Sequence, residues 1–73
     1  MEHHTIKLGR HRHYKGNKYE VIGVEKHSET LEDLVLYRAC YGAFDMWARP
    51  IGEFCGDVEA GGKRVARFEY IGE

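Results

Sequence analysis

The longest apolar run in the chain, residues 34–42, limits the possible folds more than any other feature. It reads Leu-Val-Leu-Tyr-Arg-Ala-Cys-Tyr-Gly. Branched and aromatic residues dominate the run and a glycine ends it, which is typical of a β-strand. One alternating set of its side chains has no charge: Val35, Tyr37, Ala39 and Tyr41. We therefore expect a central strand whose uncharged set faces the core.

Two hairpin turns are predicted by sequences that contain glycine. Residues 15–18, Lys-Gly-Asn-Lys, and residues 60–62, Ala-Gly-Gly, accept the left-handed backbone that a tight turn needs. The second turn is expected to join a short strand at Val58 to one continuous strand over residues 64–70.

The remaining pattern favours a small, strongly bent barrel. In the strand predicted over residues 19–27, the apolar face changes near Gly23, which indicates a bulge or a sharp bend. Pro50 cannot donate a hydrogen bond to a sheet and so ends a strand, and residues 51–55 are expected to form a one-turn helical connector. The predicted fold class is all-β, a small SH3-like barrel of five or six short strands. The alternative is another five-stranded open barrel, such as an OB-type fold.

Size and charge exclude several classes of protein. The 73 residues make one domain with a small core, expected over residues 9–73 after an N-terminal arm at residues 1–8. Eleven Lys and Arg against 12 Asp and Glu disfavour a general polyanion binder. No apolar run approaches the ~18 residues that cross a membrane, and Met1–His4 lacks the features of a signal peptide. A cytoplasmic protein is expected, with Cys40 and Cys55 reduced and mostly buried.

A polar turn is the first candidate site. It places an imidazole, a carboxylate and two hydroxyls in four consecutive residues: His27, Ser28, Glu29 and Thr30. Such groups can recognise a ligand, and they can equally bond to nearby backbone N–H groups and order the turn itself. Catalysis is not expected, because adjacent residues in a turn rarely point at one reacting atom.

A tryptophan and an arginine on one strand face form the second candidate. Trp47 and Arg49, with Arg67, offer a flat ring and guanidinium groups that can bind an aromatic or anionic group. We predict that His27, Glu29, Trp47 and Arg49 line one ligand groove beside the central strand. The alternative is that Trp47 belongs to the core and Arg49 pairs with a carboxylate such as Glu29.

The basic cluster of the sequence lies around the first turn. Arg10, Arg12, His13 and Lys15 alternate with tyrosines, a composition that suits single-stranded nucleic acid. The alternative, a solvated hairpin, is favoured by the net charge. His11 and His13 share a strand face and can hold a metal together, but no further ligand completes the set, so we predict no metal and no other cofactor.

Short motifs spread along the chain resemble the DUF1653 family of small bacterial proteins of unassigned function. They are Gly9-Arg10, Arg12-His13-Tyr14-Lys15-Gly16, Tyr19-Glu20-Val21, His27-Ser28-Glu29-Thr30, Tyr41-Gly42, Trp47-x-Arg49-Pro50 and Arg67-Phe68. The resemblance covers about residues 9–70, and the chain departs from it at His11, where the family commonly has an aromatic residue. It implies a bacterial cytoplasmic single-domain protein and brings no catalytic residue, cofactor or substrate.

These features favour a binding module over an enzyme. The chain is short and lacks a spaced nucleophile, base and orienting group. The expected ligand is a protein, a peptide or a small anionic molecule, because the overall charge is not basic. The alternative is single-stranded nucleic acid or a nucleotide, bound by the hairpin at residues 10–18 with Trp47 and Arg49. The sequence leaves the oligomeric state open.

Overall fold

Seven short strands and one helical turn make up the part of the chain that the computed structural model describes, residues 6–72. In chain order they are β1 (Gly9–His13), β2 (Lys18–Lys26), β3 (Asp33–Ala39), β4 (Met46–Pro50), α1 (Ile51–Phe54), β5 (Asp57–Ala60), β6 (Lys63–Ala66) and β7 (Phe68–Gly72). Most of the arm predicted at residues 1–8 lies outside the described residues. Nowhere in residues 6–72 is there a helix of the length and hydropathy needed to cross a membrane.

Five strands form one antiparallel sheet in the order β4-β3-β2-β1-β7, and β5 and β6 form a separate hairpin. The last strand returns to pair with the first after the helical turn, which is the strand order of an SH3-like barrel. The all-β prediction with a one-turn helical connector is therefore confirmed. The main sheet has the predicted five strands, and the hairpin of β5 and β6 lies between the helical turn and β7, so residues 6–72 hold seven strands in all.

The bulge predicted near Gly23 is present in β2. Val21 pairs with Tyr37 and Val24 pairs with Val35, so β2 carries one residue more than β3 between these pairs. Directly opposed residues of an antiparallel pair share a face. The extra residue therefore keeps both valines of β2 on the face that Val35 and Tyr37 occupy.

The single strand predicted over residues 64–70 is wrong. It is two strands, β6 and β7, which belong to different sheets and are separated at Arg67. The Arg67 backbone N–H donates to the Gly56 carbonyl at 3.0 Å, and its carbonyl accepts from the Tyr14 N–H at 2.9 Å. These bonds turn the chain out of one sheet and into the other.

The core lies on the predicted face of β3. Val35, Tyr37 and Ala39 are buried there, whereas Tyr41 is exposed because β3 ends before it. The buried cluster is completed by residues from three other elements: Val21, Phe54 and Phe68.

Both cysteines are free, and both are exposed. The expectation that they would be mostly buried is wrong. Cys40 follows the end of β3, on the alternate set to the buried residues, and Cys55 caps the carboxyl end of the helical turn.

Candidate functional site

Core-facing side chains of several strands meet at one end of the five-stranded sheet. The register sets His13 opposite Phe68 and Trp47 opposite Tyr37, and each such pair shares a face. Arg49 lies two residues beyond Trp47 on the same face. We call this region the aromatic–cationic surface and define it by His13, Tyr19, Tyr37, Tyr41, Trp47, Arg49, Arg67 and Phe68.

The aromatic part of this surface is a chain of edge-to-face rings. Tyr37 contacts Tyr19 and Phe68 with centroid distances of 5.4 Å in both cases. The hydroxyls of Tyr19 and Tyr41 are hydrogen-bonded at 2.8 Å. Burial, together with this hydrogen bond, raises the pKa of Tyr19 to about 12, so its hydroxyl stays protonated. Tyr41 and Trp47 are 45% and 53% exposed, which leaves two aromatic rings open to a ligand.

Arg49 is held in place within this surface. Its Nε donates to the Tyr37 hydroxyl at 3.3 Å, and its guanidinium lies 6.0 Å from the centre of the Phe68 ring. Its Nη1 lies 3.7 Å from the Glu53 carboxylate, one helical turn away. The alternative interpretation of the sequence paired Arg49 with a carboxylate such as Glu29. In the structure its carboxylate partner is Glu53.

Positive charge gathers around His13. Burial lowers the pKa of His13, and the charges of Arg49, Arg67 and Lys15 lower it further. The imidazole is therefore mainly neutral at pH 7, while the groups around it are cations. Within a chain of net charge −1, this end of the sheet is locally basic.

The polar turn orders its own backbone. The Nδ1 atom of His27 accepts hydrogen bonds from the N–H groups of Glu29 at 3.1 Å and Thr30 at 3.3 Å, and Thr30 Oγ1 accepts from the Glu32 N–H. Ser28 and Glu29 are exposed. Among residues 6–72, no side-chain hydrogen bond or ion pair joins this turn to Trp47 or Arg49. The groove predicted to combine the turn with β4 stays a prediction.

The predicted basic cluster is divided between two faces of β1. Arg10 and Arg12 lie exposed on the outer face, each directly opposite an acidic residue of a neighbouring strand. His13 points to the inner face, and Lys15 lies in the turn that follows. Of these four residues only His13 belongs to the aromatic–cationic surface, and the charge of Lys15 acts on it from the turn by lowering the pKa of His13.

Sequence reasoning missed Tyr19 and Phe68 as members of the site. The signal that could have found Tyr19 is the alternation of β2, since Tyr19 shares a face with buried Val21. His11 does not join His13 at a metal site. It is buried edge-on against the rings of Phe54 and Tyr70, and no metal-binding group of three His, Cys, Asp or Glu occurs in residues 6–72.

A family model described as a protein of unknown function (DUF1653) matches residues 9–70. The chain belongs to the DUF1653 family. The fold is also similar to the crystal structure of a DUF1653 protein from Bordetella bronchiseptica, with a TM-score of 0.85 and 32% sequence identity over 92% of this chain and 88% of that chain. No curated protein matches the sequence. The DUF1653 resemblance of the motifs is thereby confirmed, and it brings no activity with it.

Proposed function

We propose that this DUF1653 protein is a binding module that recognises an acidic, extended segment of another polypeptide. The observation that carries the proposal is the aromatic–cationic surface, where exposed Trp47 shares a strand face with Arg49, whose guanidinium is fixed on the Tyr37 hydroxyl, and where Tyr41 adds a second exposed ring. Trp, Tyr and Arg are the residues that most often dominate binding energy at protein interfaces. Neighbouring cations supply complementarity to carboxylates.

The position of β4 supports an extended ligand. It is an edge strand of the sheet, and it carries both Trp47 and Arg49. An edge strand has one row of backbone N–H and C=O groups without a partner in its sheet, and an added peptide strand can bind to that row. Such a peptide would pass directly beside the ring and the guanidinium.

A reducing compartment, the bacterial cytoplasm, is part of the proposal. Cys40 and Cys55 are exposed thiols without a disulfide. Free thiols at a surface suit a compartment that keeps them reduced.

The proposal can be tested through the fluorescence of Trp47, the single tryptophan of the chain. The probes are a ten-residue peptide of alternating Val and Glu, its Val and Lys counterpart, and an oligothymidylate. Binding of the acidic peptide should shift the Trp47 emission to the blue and weaken with salt, whereas the basic peptide should leave the emission unchanged.

Two matched variants locate the binding. Arg49→Gln removes a cation from the aromatic–cationic surface, and Arg12→Gln removes one from the outer face. We expect about tenfold weaker peptide binding for Arg49→Gln, a loss equivalent to one charged hydrogen bond, and no change for Arg12→Gln. Equal response to both peptides would refute the proposal. It would also be refuted by tighter oligothymidylate binding that falls steeply with salt and depends on Arg12, since that result indicates a nucleic-acid module.

A further inference from the structure

A second concave region lies between the β1–β7 pair and the helical turn. It has a volume of about 310 Å³, at the lower end of the range for small-molecule sites, which is roughly 300–1,000 Å³. Its wall combines rings and apolar groups with one imidazole and one ammonium: Ile6, Lys7, His11, Phe54, Phe68 and Tyr70. Phe54 and Phe68 are buried, are stacked with their ring centres 4.0 Å apart, and form the rigid floor of this region.

His11 provides a hydrogen-bond acceptor in this wall. It is only 5% exposed, and its Nδ1 lies 3.2 Å from the Gly9 carbonyl oxygen. Because a carbonyl oxygen only accepts, Nδ1 carries the proton and Nε2 has a free lone pair. Burial lowers the pKa of His11, so this neutral form persists at pH 7.

The lone pair of His11 Nε2 is accessible from the cavity. Within residues 6–72, Nε2 makes no hydrogen bond, yet no fully buried polar side-chain atom in that range lacks a partner. Because His11 lines the cavity, we place the Nε2 lone pair at the cavity surface.

Lys7 provides the charge. Its ammonium lies 4.9 Å from the centre of the Tyr70 ring and makes no ion pair within the described range 6–72. A ligand carboxylate at the mouth of the cavity could form an ion pair with this ammonium. We propose that the cavity binds a small aromatic acid that also has a hydroxyl or N–H donor, with the donor on His11 Nε2, the ring beside the half-exposed Tyr70 and the carboxylate on Lys7.

Three probes that differ by one functional group separate these contributions. They are 4-hydroxybenzoate, 4-methoxybenzoate, which lacks the donor, and phenol, which lacks the carboxylate. In ¹⁵N nuclear magnetic resonance titrations of the full chain, 4-hydroxybenzoate should shift the amide signals of Lys7, Cys55 and Tyr70 in a saturable manner. The other two probes should bind about tenfold more weakly, because each lacks one polar contact.

Two variants test the assigned contacts. His11→Phe keeps an aromatic ring in the wall and removes the acceptor, so it should bind 4-hydroxybenzoate and 4-methoxybenzoate equally. Lys7→Gln changes an exposed residue, so folding is preserved; it should weaken both acids and leave phenol unchanged.

The inference is overturned if 4-methoxybenzoate binds the unmodified protein as tightly as 4-hydroxybenzoate. It is equally overturned if millimolar 4-hydroxybenzoate shifts no signal at Lys7, Cys55 or Tyr70. Neither result bears on peptide binding at the aromatic–cationic surface, which is read from Trp47.

Discussion

Arg49 is expected to stabilise the fold as well as to bind a ligand, and the two roles can be separated by measurement. The Arg49→Ala variant removes a hydrogen bond to the Tyr37 hydroxyl, an exposed ion pair with Glu53 and a distant contact with the Phe68 ring. The Tyr37→Phe variant removes only the hydroxyl, and Glu53→Gln removes only the ion pair. The double variant of Arg49 and Tyr37 completes a thermodynamic cycle.

The expected magnitudes follow from the geometry. The hydrogen bond joins a charged donor to the hydroxyl of a buried tyrosine, but at 3.3 Å it is long, so we assign it about 1 kcal/mol. The ion pair at 3.7 Å is exposed on the Glu53 side and contributes about 0.3–0.5 kcal/mol. The ring contact lies at the distance limit for a cation–π interaction and adds about 0.5 kcal/mol. Arg49→Ala should therefore lower the free energy of unfolding by about 2 kcal/mol.

Thermal and urea denaturation measure these values. In a domain of this size, 2 kcal/mol lowers the melting temperature by about 8–16 °C. Glu53→Gln should lower it by less than about 4 °C, and the cycle should give a coupling energy of about 1 kcal/mol between Arg49 and Tyr37. A coupling energy near zero would refute the assigned bond. A melting temperature unchanged by Arg49→Ala would mean that this guanidinium serves the ligand alone.

Three further predictions concern packing, backbone strain and pH. Phe54→Ala should lose about 3–5 kcal/mol in urea denaturation, because Phe54 is buried against Phe68, whereas Phe44→Ala at an exposed position should lose less than about 0.5 kcal/mol. Phe44→Gly should raise the free energy of unfolding by up to about 1 kcal/mol in the same assay, because Phe44 has a left-handed φ of 58°. The greater freedom of glycine in the unfolded chain offsets part of this gain. Burial lowers the pKa values of His11 and His13 below 6.5, so the unfolded chain binds more protons as pH falls through 6.5 and stability should decline from pH 7 toward pH 5. His11→Phe should flatten that decline, and an unchanged pH profile would contradict it.

The features that sequence could predict are local ones. A glycine-containing turn at residues 15–18, a bulge near Gly23 and a helical turn after Pro50 each depend on a few adjacent residues. The face of β3 that is buried can also be predicted from this strand alone, because the opposite face contains Arg38. Each of these features is present in the structure.

The features that sequence could not supply depend on register between distant strands. His13 was grouped with Arg10 and Arg12 because they are neighbours in sequence; alternation alone places it on the opposite face of β1, but its partners across the sheet depend on register. Its real neighbours include Arg49, which comes from β4. The break at Arg67 was also hidden, because residues 63–71 contain no glycine or proline to mark the end of a strand.

The two backbone hydrogen bonds of Arg67 to Gly56 and Tyr14 leave the β5–β6 hairpin outside the five-stranded sheet. The chain leaves at Gly56 and returns at Arg67, and these residues are joined by a backbone hydrogen bond of 3.0 Å. A Cβ atom at Gly56 would lie 3.0 Å from the Gly52 carbonyl oxygen, so any other residue there requires the helical turn to shift by a few tenths of an ångström.

Residues 57–66 contribute no strand to the five-stranded sheet. A longer hairpin, or a whole foreign domain inserted between Gly61 and Gly62, would still begin and end at the neighbouring residues Gly56 and Arg67. Its cost in stability should be small, because loop-closure entropy rises slowly with loop length. The β5–β6 hairpin is therefore a natural attachment point for a reporter, carried by the barrel without altering the order of its strands.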